Sequence, residues 1–429
     1  MKIFILTFGC KVNQYESEYI REMLSGNGYN LSDGIEDADV IIVNSCTVTA
    51  QSDHKIRQSL HKVRRVNPQA VIVLTGCMVQ AFPEQSSKLL EADILVGNKE
   101  KKDIPLLIEE FLKKRRKIVN VSDYKNDDVF DKMGIDSFDG RTRAFLKIQD
   151  GCNRFCSYCI IPYARGRVRS KPLNDISEEV KTLALRGYKE IVLVGINLSA
   201  YGIDFGKTLY DAIETVNAVP GIERIRLGSL EPEQMDEFEV KRLSKLSKLC
   251  PQFHLSLQSG CDETLKRMNR HYNSEGYYKI VENIRKYFAN PAITTDIMVG
   301  FAGETEEEFK KSLDFVKKVG FAKIHVFPYS IRPGTRAASF SNQITKADKS
   351  KRSQQMIKVA EDLRSNFLNK QVGKTYKVLF ETKAENGIYE GYTTNYIPVK
   401  IKNFQDISGK ILNVKITHAF QDYCVGELI

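Results

Sequence analysis

The sequence lacks the long apolar runs that membrane-spanning helices require. No stretch of its 429 residues approaches the roughly 18–20 consecutive apolar residues that cross a bilayer. It also lacks a basic-then-apolar leader, an internal repeat and a low-complexity tract. Its nine cysteines are an odd number, which disfavours the paired disulfide framework of a secreted protein. These absences predict a cytoplasmic protein, outside any membrane, whose thiols stay reduced and available to metals.

One run of cysteines lacks the fourth ligand of an ordinary metal site. Cys152, Cys156 and Cys159 follow a C-x3-C-x2-C spacing, whereas structural zinc sites and electron-transfer clusters take four protein ligands. Three thiolates can hold three irons of a [4Fe–4S] cube and leave the fourth iron open to bind a small molecule. The alternatives are a zinc knuckle that lacks one ligand and three unrelated thiols.

Three further cysteines each follow an apolar, β-branched run typical of a buried parallel strand. The three units are residues 3–10, 40–46 and 71–77, which end in Cys10, Cys46 and Cys77. Ligands of an open α/β sheet collect outside the carboxyl ends of its strands. A second three-thiolate cluster site is therefore expected at this edge, and the alternative is three half-buried free cysteines.

The pattern of predicted strands and helices changes along the chain and predicts an α/β protein of several domains. Residues 1–120 alternate strands and helices, typical of an open parallel sheet, and the acidic residues 121–141 suit a linker. Residues 142–370 contain six strand candidates separated by helical patterns, which predicts a partial (βα)6 barrel with chemistry at its carboxyl-terminal rim. A long helix is expected over 346–367. Short β segments in residues 371–429 predict a small all-β barrel.

The motifs around both cysteine triplets resemble those of the radical S-adenosylmethionine methylthiotransferases. Residues 7–17, 44–49 and 75–77 resemble the amino-terminal domain of that family. Residues 151–167 resemble its radical domain, and the last domain resembles the TRAM module, an OB-like RNA-binding barrel. The first motif, Gly-Cys-Lys-Val-Asn-Gln, is similar to the branch that modifies N6-threonylcarbamoyladenosine in tRNA. The isopentenyladenosine branch usually carries Gly-Cys-Gln-Met-Asn.

The resemblance implies two [4Fe–4S] clusters and S-adenosylmethionine as cofactors. The cluster on the Cys152 triplet would cleave S-adenosylmethionine to a 5′-deoxyadenosyl radical, and the cluster on the Cys10 triplet would carry the sulfur. Adenine C2 offers neither an acidic proton nor a leaving group, so the cofactor supplies the chemistry and no side-chain base is indicated. Residues at the barrel-strand ends and beside the cysteines are the expected contacts of S-adenosylmethionine, although each could equally be a structural cap. They are Tyr158, Gly195, Asn197, Ser229, Gln258 and Asp296.

Basic residues indicate the partner. A net charge of +10 and a pI near 8.9 predict a polyanionic partner, which the resemblance implies is tRNA. A basic run directly follows the second triplet, where a phosphate or a charged nucleoside substituent would lie. Because the threonylcarbamoyl group carries a carboxylate, Arg165, Arg167 and Arg332 are the predicted substrate-binding residues. Exposed Tyr392 and Tyr396 are expected to stack on bases.

The resemblance thus predicts a transferase that methylthiolates N6-threonylcarbamoyladenosine beside the anticodon. Its electron donor would be a flavodoxin- or ferredoxin-type protein, because the cleavage needs the reducing end of the iron–sulfur range. Two alternatives stay open. One is methylthiolation of another tRNA base or of a ribosomal-protein aspartate, and the other is a non-catalytic iron–sulfur protein that binds RNA or transfers electrons. His254 and His325 show no metal-ligand spacing and are expected in the core.

Overall fold

Six parallel strands form the amino-terminal sheet in the computed structural model, which describes residues 1–138, 141–383 and 385–429. The elements of this domain are β1 (Lys2–Thr7), α1 (Lys11–Gly26), β2 (Asn30–Leu31), β3 (Val40–Ser45), α2 (Ala50–Val66), β4 (Val71–Gly76), α3 (Cys77–Ala81), α4 (Pro83–Ser87), β5 (Ile94–Val96), α5 (Ile104–Lys114) and β6 (Ile118–Asn120). The strand order β2-β1-β3-β4-β5-β6 places β1, β3 and β4 side by side. Every residue of β3 and β4 is buried, as expected for parallel strands covered by helices on both faces.

The segment that follows is irregular in structure and is held by three buried side chains. Residues 121–138 contain no helix or strand. Their apolar side chains Met133, Ile135 and Phe138 are nevertheless buried in the core of the central domain. The rest of the predicted linker includes Asp139 and Gly140, which lie outside the described residues. The described part therefore fixes the amino-terminal domain to the next domain by burial of apolar surface.

The central domain is an open parallel barrel, as predicted. Its elements are β7 (Arg143–Lys147), β8 (Gln149–Asp150), α6 (Ile161–Arg165), β9 (Arg169–Ser170), α7 (Leu173–Leu185), β10 (Glu190–Val194), α8 (Leu209–Asn217), β11 (Arg224–Leu227), β12 (Ser229–Leu230), α9 (Glu237–Leu243), β13 (Gln252–Leu255), α10 (Asp262–Arg267), α11 (Ser274–Tyr287), β14 (Ala292–Val299), α12 (Glu306–Val319), β15 (Lys323–Pro328) and α13 (Lys346–Asn369). The strands β7, β10 and β11 pair in parallel, and β12 continues β11 and begins a second parallel set with β13, β14 and β15. Within the described residues β15 does not pair with β7, so the barrel stays open on one side.

The carboxyl-terminal domain is a closed five-stranded barrel. Its strands are β16 (Thr375–Lys383), β17 (Ile388–Thr393), β18 (Pro398–Lys402), β19 (Ile411–Ala419) and β20 (Cys424–Leu428). The short β segments predicted from the sequence form this barrel, and β20 completes it. The predicted long helix is α13, which begins after the Thr345 N-cap and packs on both β15 and β19. In the described parts of the chain, no helix is long and apolar enough to cross a membrane.

Buried arginines of β11 attach this last domain, here called the small barrel, to the central domain. Arg224 donates to the carbonyls of Tyr392 and Lys377 at 2.9 and 2.6 Å. Arg226 donates to the carbonyl of Thr393 at 3.2 Å and pairs with Glu190 at 2.9 Å. Burial alone would raise the pKa of Glu190, but the guanidinium of Arg226 and its arginine neighbours overcome this and lower the pKa to about 2.

Replacing Glu190 with glutamine should therefore destabilise the protein. Truncating one partner of a buried ion pair costs about 3–5 kcal/mol. A folded pKa below the ordinary value of 4.5 means that the pair stabilises at neutral pH and that this stability is lost as the pH falls from about 5 toward 2. Thermal unfolding measured at several pH values should show the variant less stable at pH 7 and less sensitive to acid. The matched control is Glu110→Gln, which breaks an exposed pair and should change nothing measurable. Equal stability of the Glu190 variant and the wild type would contradict this account of the docking.

Candidate cluster sites and the cavity between them

The first cysteine triplet lies at one edge of the amino-terminal sheet. Cys10 precedes α1, Cys46 follows β3 and Cys77 begins α3, so the adjacent strands β1, β3 and β4 bring the three residues together as expected. Cys46 and Cys77 are buried, and Cys10 is exposed. Gly9 has a φ of +101°, and a Cβ at this position would lie 2.9 Å from the Cys46 sulfur. Only glycine leaves room for that thiol.

Asn13 and Arg165 fix the surroundings of this triplet. Asn13 donates to the carbonyls that end two strands, Phe8 at 2.7 Å and Ser45 at 2.9 Å. Its side-chain oxygen accepts from Arg165 Nη2 at 2.7 Å, while Arg165 Nε lies 3.2 Å from the Cys77 sulfur. A guanidinium beside a thiolate is a charge-assisted hydrogen bond. Arg165 therefore reaches from the central domain to the first triplet.

A buried ion network holds Arg165 in place. Its guanidinium pairs with Glu16 of α1, which also pairs with Lys101 and, at 2.8 Å, with Lys147. Asp150, beside the second triplet in sequence, lies 2.6 Å from Lys147 and 3.3 Å from Arg165. Burial would raise the pKa of Glu16, but the surrounding cations lower it well below its usual range. The network joins the two domains and spans the space between the two triplets.

The second triplet lies in the loop between β8 and α6. The three cysteines are half-buried. The Cys152 sulfur accepts from the amide of Arg154 at 3.5 Å and from Asn197 Nδ2 at 3.8 Å. Burial raises the pKa of Cys152 to about 11, and burial followed by the proximity of Cys156 raises that of Cys159. Such thiols ionise when a metal replaces the proton.

Arg270, in the turn between α10 and α11, supports this loop. Its Nη1 lies 3.2 Å from the Cys156 sulfur, and its Nε donates to the Tyr272 hydroxyl at 3.0 Å. The same guanidinium pairs with Glu231. Tyr272 donates in turn to the carbonyl of Ser256 at 2.6 Å. Sequence reasoning missed Arg270, because no motif in a single sequence marks a residue that approaches the loop from 114 positions away.

Each triplet supplies three cysteine sulfurs for a cluster. Within the part of the chain that the structure describes, no group of three cysteine, histidine, aspartate or glutamate side chains forms a site for a single metal ion. A four-iron cube binds each thiolate through a separate iron. Cys10 is exposed and the second triplet is half-buried, so each set has thiols that an incoming cluster can reach. Their assignment as the cluster ligands stays a prediction.

A cavity of about 670 Å³ occupies the barrel lumen and reaches the first triplet. Cys10 and Lys11 line it from the amino-terminal domain, and Gly195 and Ser229 line it from the ends of barrel strands. Alternate residues of β13, β14 and β15 face it, among them His254, Thr294, Asp296 and His325. The small barrel closes it with Tyr392, Asn395 and Tyr396. All three domains therefore contribute to one cavity, which is partly open to solvent because Cys10, Lys323 and His325 on its wall are exposed.

The residues predicted to contact S-adenosylmethionine are distributed around this space. Gly195, Ser229 and Asp296 line the cavity, and Asn197 contacts the Cys152 sulfur as described above. Gln258 adopts a left-handed φ of +67° and pairs its backbone with that of Asp296. Tyr158 packs edge-on against Phe301, with ring centroids 6.3 Å apart. Their role as contacts stays a prediction.

The three predicted substrate arginines do not lie together. Arg165 is fully buried in the ion network. Arg332 is buried as well, 2.7 Å from Asp53 and 2.6 Å from the Thr47 hydroxyl. Arg167 is exposed and lies over the Phe155 ring, 4.8 Å from its centroid. Carboxylates already compensate the charges of Arg165 and Arg332. Of the three arginines, Arg167 is therefore the one open to a new anion.

The positions of two pairs of aromatic residues differ from those expected. Tyr392 and Tyr396 are half-buried and stack on each other, with centroids 4.5 Å apart, rather than standing exposed. The guanidinium of Arg143 lies over both rings, at 5.0 and 5.2 Å, because docking of the small barrel turns this face toward the central domain. His254 and His325 line the cavity instead of the core, and His254 lies 3.3 Å from Asp296.

The fold and the two cysteine sites define the class of protein. An open parallel barrel with a three-cysteine loop at its rim is the architecture of the radical S-adenosylmethionine enzymes, and the radical SAM superfamily model matches residues 146–316. Models of the uncharacterized protein family UPF0004 and of the TRAM domain match residues 2–97 and 369–429. The chain is also similar to the radical S-adenosylmethionine methyltransferase TsrM from Kitasatospora setae, with a TM-score of 0.58 over 79% of this chain and 73% of that one. At 14% identity, this likeness concerns the fold alone.

The curated relatives narrow the class to one family. The chain is 37% identical to the threonylcarbamoyladenosine tRNA methylthiotransferase MtaB of Bacillus subtilis, over 99% of this chain and 95% of the relative. It is also 37% identical to a tRNA-2-methylthio-N(6)-dimethylallyladenosine synthase of Clostridium botulinum, over 100% of this chain and 97% of the relative. The chain belongs to the radical S-adenosylmethionine methylthiotransferases that modify tRNA. It is a transferase whose cofactors are [4Fe–4S] clusters and S-adenosylmethionine.

Proposed function

We propose that this chain converts N6-threonylcarbamoyladenosine beside the anticodon of tRNA to its 2-methylthio derivative. The observation that carries the proposal is the single cavity shared by Cys10, the barrel lumen and the small barrel. The two relatives described above, one named for the threonylcarbamoyl and one for the dimethylallyl substrate, are both 37% identical to this chain. The choice between them therefore rests on the motif from Gly9 to Gln14 and on the basic residues that line the cavity.

The residues of the chain prepare the site for radical chemistry. When bound, the two clusters and S-adenosylmethionine supply the radical, the sulfur and the methyl group that C2 of adenine needs. Cys152, Cys156 and Cys159 would hold one cluster, and Arg270 and Asn197 approach the sulfurs of Cys156 and Cys152 as donors. Cys10, Cys46 and Cys77 would hold the other, with the charge of Arg165 beside Cys77.

The surrounding protein positions the substrate and limits access of water. Lumen-facing residues of β13, β14 and β15 surround the adenosine, and the stacked pair Tyr392 and Tyr396 closes the cavity toward the small barrel. Exclusion of water protects a reactive radical from side reactions. The electron comes from a flavodoxin- or ferredoxin-type donor, because the reducing end of the iron–sulfur range is required. The enzyme acts in the cytoplasm, where its tRNA substrate is modified.

The proposal predicts a preference between two modified RNAs. Reconstituted protein supplied with reductant and S-adenosylmethionine should methylthiolate an anticodon stem-loop that carries N6-threonylcarbamoyladenosine. The same stem-loop with N6-isopentenyladenosine should react poorly, because its substituent lacks the carboxylate. Mass spectrometry of the digested nucleosides measures both products. A preference for the isopentenyl RNA would assign the chain to the other branch.

A further inference from the structure

One cation on the cavity wall has no anionic partner. Lys11 begins α1 directly after Cys10, and its side chain lines the cavity. Its ammonium lies 5.8 Å from the centroid of the Phe145 ring. Among the described residues it forms no ion pair. The cations Arg143 and Arg226 lie near it, and the nearby carboxylate of Glu190 is already paired with Arg226. A partly desolvated charge without a partner is unfavourable, so this position favours an incoming anion.

The other basic side chains of the cavity are already engaged or solvated. Arg364 donates to the carbonyls of Ala322 and Asp422, at 3.3 and 3.1 Å. The imidazole of His254 lies beside the carboxylate of Asp296. Lys323 and His325 are exposed, so solvent and salt screen any charge on them. Lys11 is therefore the cavity cation best placed to gain from a carboxylate.

We propose that Lys11 binds the carboxylate of the threonylcarbamoyl group and thereby determines the substrate branch. This inference rests on the proposed function. Covalent geometry supports it, because C2 and C6 of adenine flank the same ring nitrogen, N1, and C6 carries the N6 substituent. A base whose C2 faces the first triplet thus holds its substituent on the side of the residues that adjoin Cys10. The three predicted arginines are less suited, since none of them lines the cavity within the described residues.

The test compares binding of two anticodon stem-loops that differ only in the N6 substituent. One carries N6-threonylcarbamoyladenosine and the other carries unmodified adenosine, and the reconstituted full chain binds each without reductant. Lys11→Gln should weaken binding of the carboxylate-bearing RNA by about ten- to a hundred-fold, the usual effect of a lost charge-assisted bond. Binding of the unmodified RNA should change little. Lys11→Arg, which keeps the charge, should retain much of the discrimination.

Lys323→Met is the matched control, because it removes the same charge from an exposed position on the same cavity. It should weaken the binding of both RNAs to the same extent, as the loss of a non-specific electrostatic contact does. Iron content and the cluster absorption of each variant report whether the neighbouring Cys10 site is intact. If Lys11→Gln lowered both affinities equally or lost iron, Lys11 would serve phosphate binding or the cluster, and the inference would be wrong.

The two proposals fail in different ways. If the wild type itself bound both RNAs equally and methylthiolated neither preferentially, the proposed substrate would be wrong. If the wild type discriminated and Lys11→Gln discriminated as well, the proposed substrate would stand and only the role of Lys11 would be overturned. Lys11→Arg keeps the native charge at the start of α1. Its discrimination between the two RNAs is therefore compared with that of Lys11→Gln.

Discussion

Replacing Cys156 with alanine is expected to abolish cleavage of S-adenosylmethionine. The sulfur of Cys156 accepts from Arg270 at 3.2 Å and is one of the three thiolates proposed to hold the second cluster. Loss of a residue that only supports a ligand costs about 10- to 100-fold in metal affinity or activity, and loss of the ligand itself should exceed this. The readout is 5′-deoxyadenosine released after chemical reduction of the reconstituted protein.

Two companion variants make this result interpretable. Arg270→Gln removes the donor but keeps the thiolate, so its cleavage rate should fall between those of the wild type and Cys156→Ala. Cys424→Ala removes a buried thiol of the small barrel and should leave cleavage unchanged. A Cys156→Ala protein that still produced 5′-deoxyadenosine at the wild-type rate would show that the second triplet is not the radical site.

Replacing Cys77 with alanine should separate the two halves of the reaction. Wild-type protein with two four-iron cubes should hold about eight irons per chain, and the variant about four. Because the second triplet is untouched, the variant should still release 5′-deoxyadenosine. Because the first cluster is the one proposed to carry the sulfur, no methylthiolated nucleoside should form. Iron analysis and nucleoside mass spectrometry of the same preparation measure both outcomes.

Cys46→Ala is expected to give the same pattern as Cys77→Ala, because both thiols are buried at the first triplet. Cys46 adjoins Gly9, and Cys77 adjoins the Arg165 guanidinium. Cys250→Ala, at a buried thiol outside both triplets, serves as the control for handling and oxidation. If Cys46→Ala retained the full iron content of the wild type, the first triplet would not be a cluster site.

Local patterns predicted the parts of the site that depend on strand ends. The runs before Cys10, Cys46 and Cys77 are apolar and β-branched, and such runs form buried parallel strands whose ends meet at one edge. The six barrel strands and α13 were predictable for similar reasons. The short strands β2 and β5 were not, because two or three residues carry too little periodicity to stand out.

Contacts between domains could not be predicted from the sequence. Arg165 stands in a basic run that suggests a phosphate site, yet its partner Glu16 lies 149 positions away and draws it into the interior. Tyr392 and Tyr396 have the composition of an exposed base-stacking pair. Their inward position depends on how Arg224 and Arg226 hold the small barrel. Only the assembled fold brings such side chains together.

Nucleoside analysis of tRNA from cells with and without this protein tests the central claim most directly. Loss of the protein should remove 2-methylthio-N6-threonylcarbamoyladenosine and leave N6-threonylcarbamoyladenosine in its place, and the Cys156→Ala variant should fail to restore the modification. Unchanged tRNA nucleosides would contradict the account, and a methylthiolated aspartate lost from a ribosomal protein would assign the substrate to protein instead.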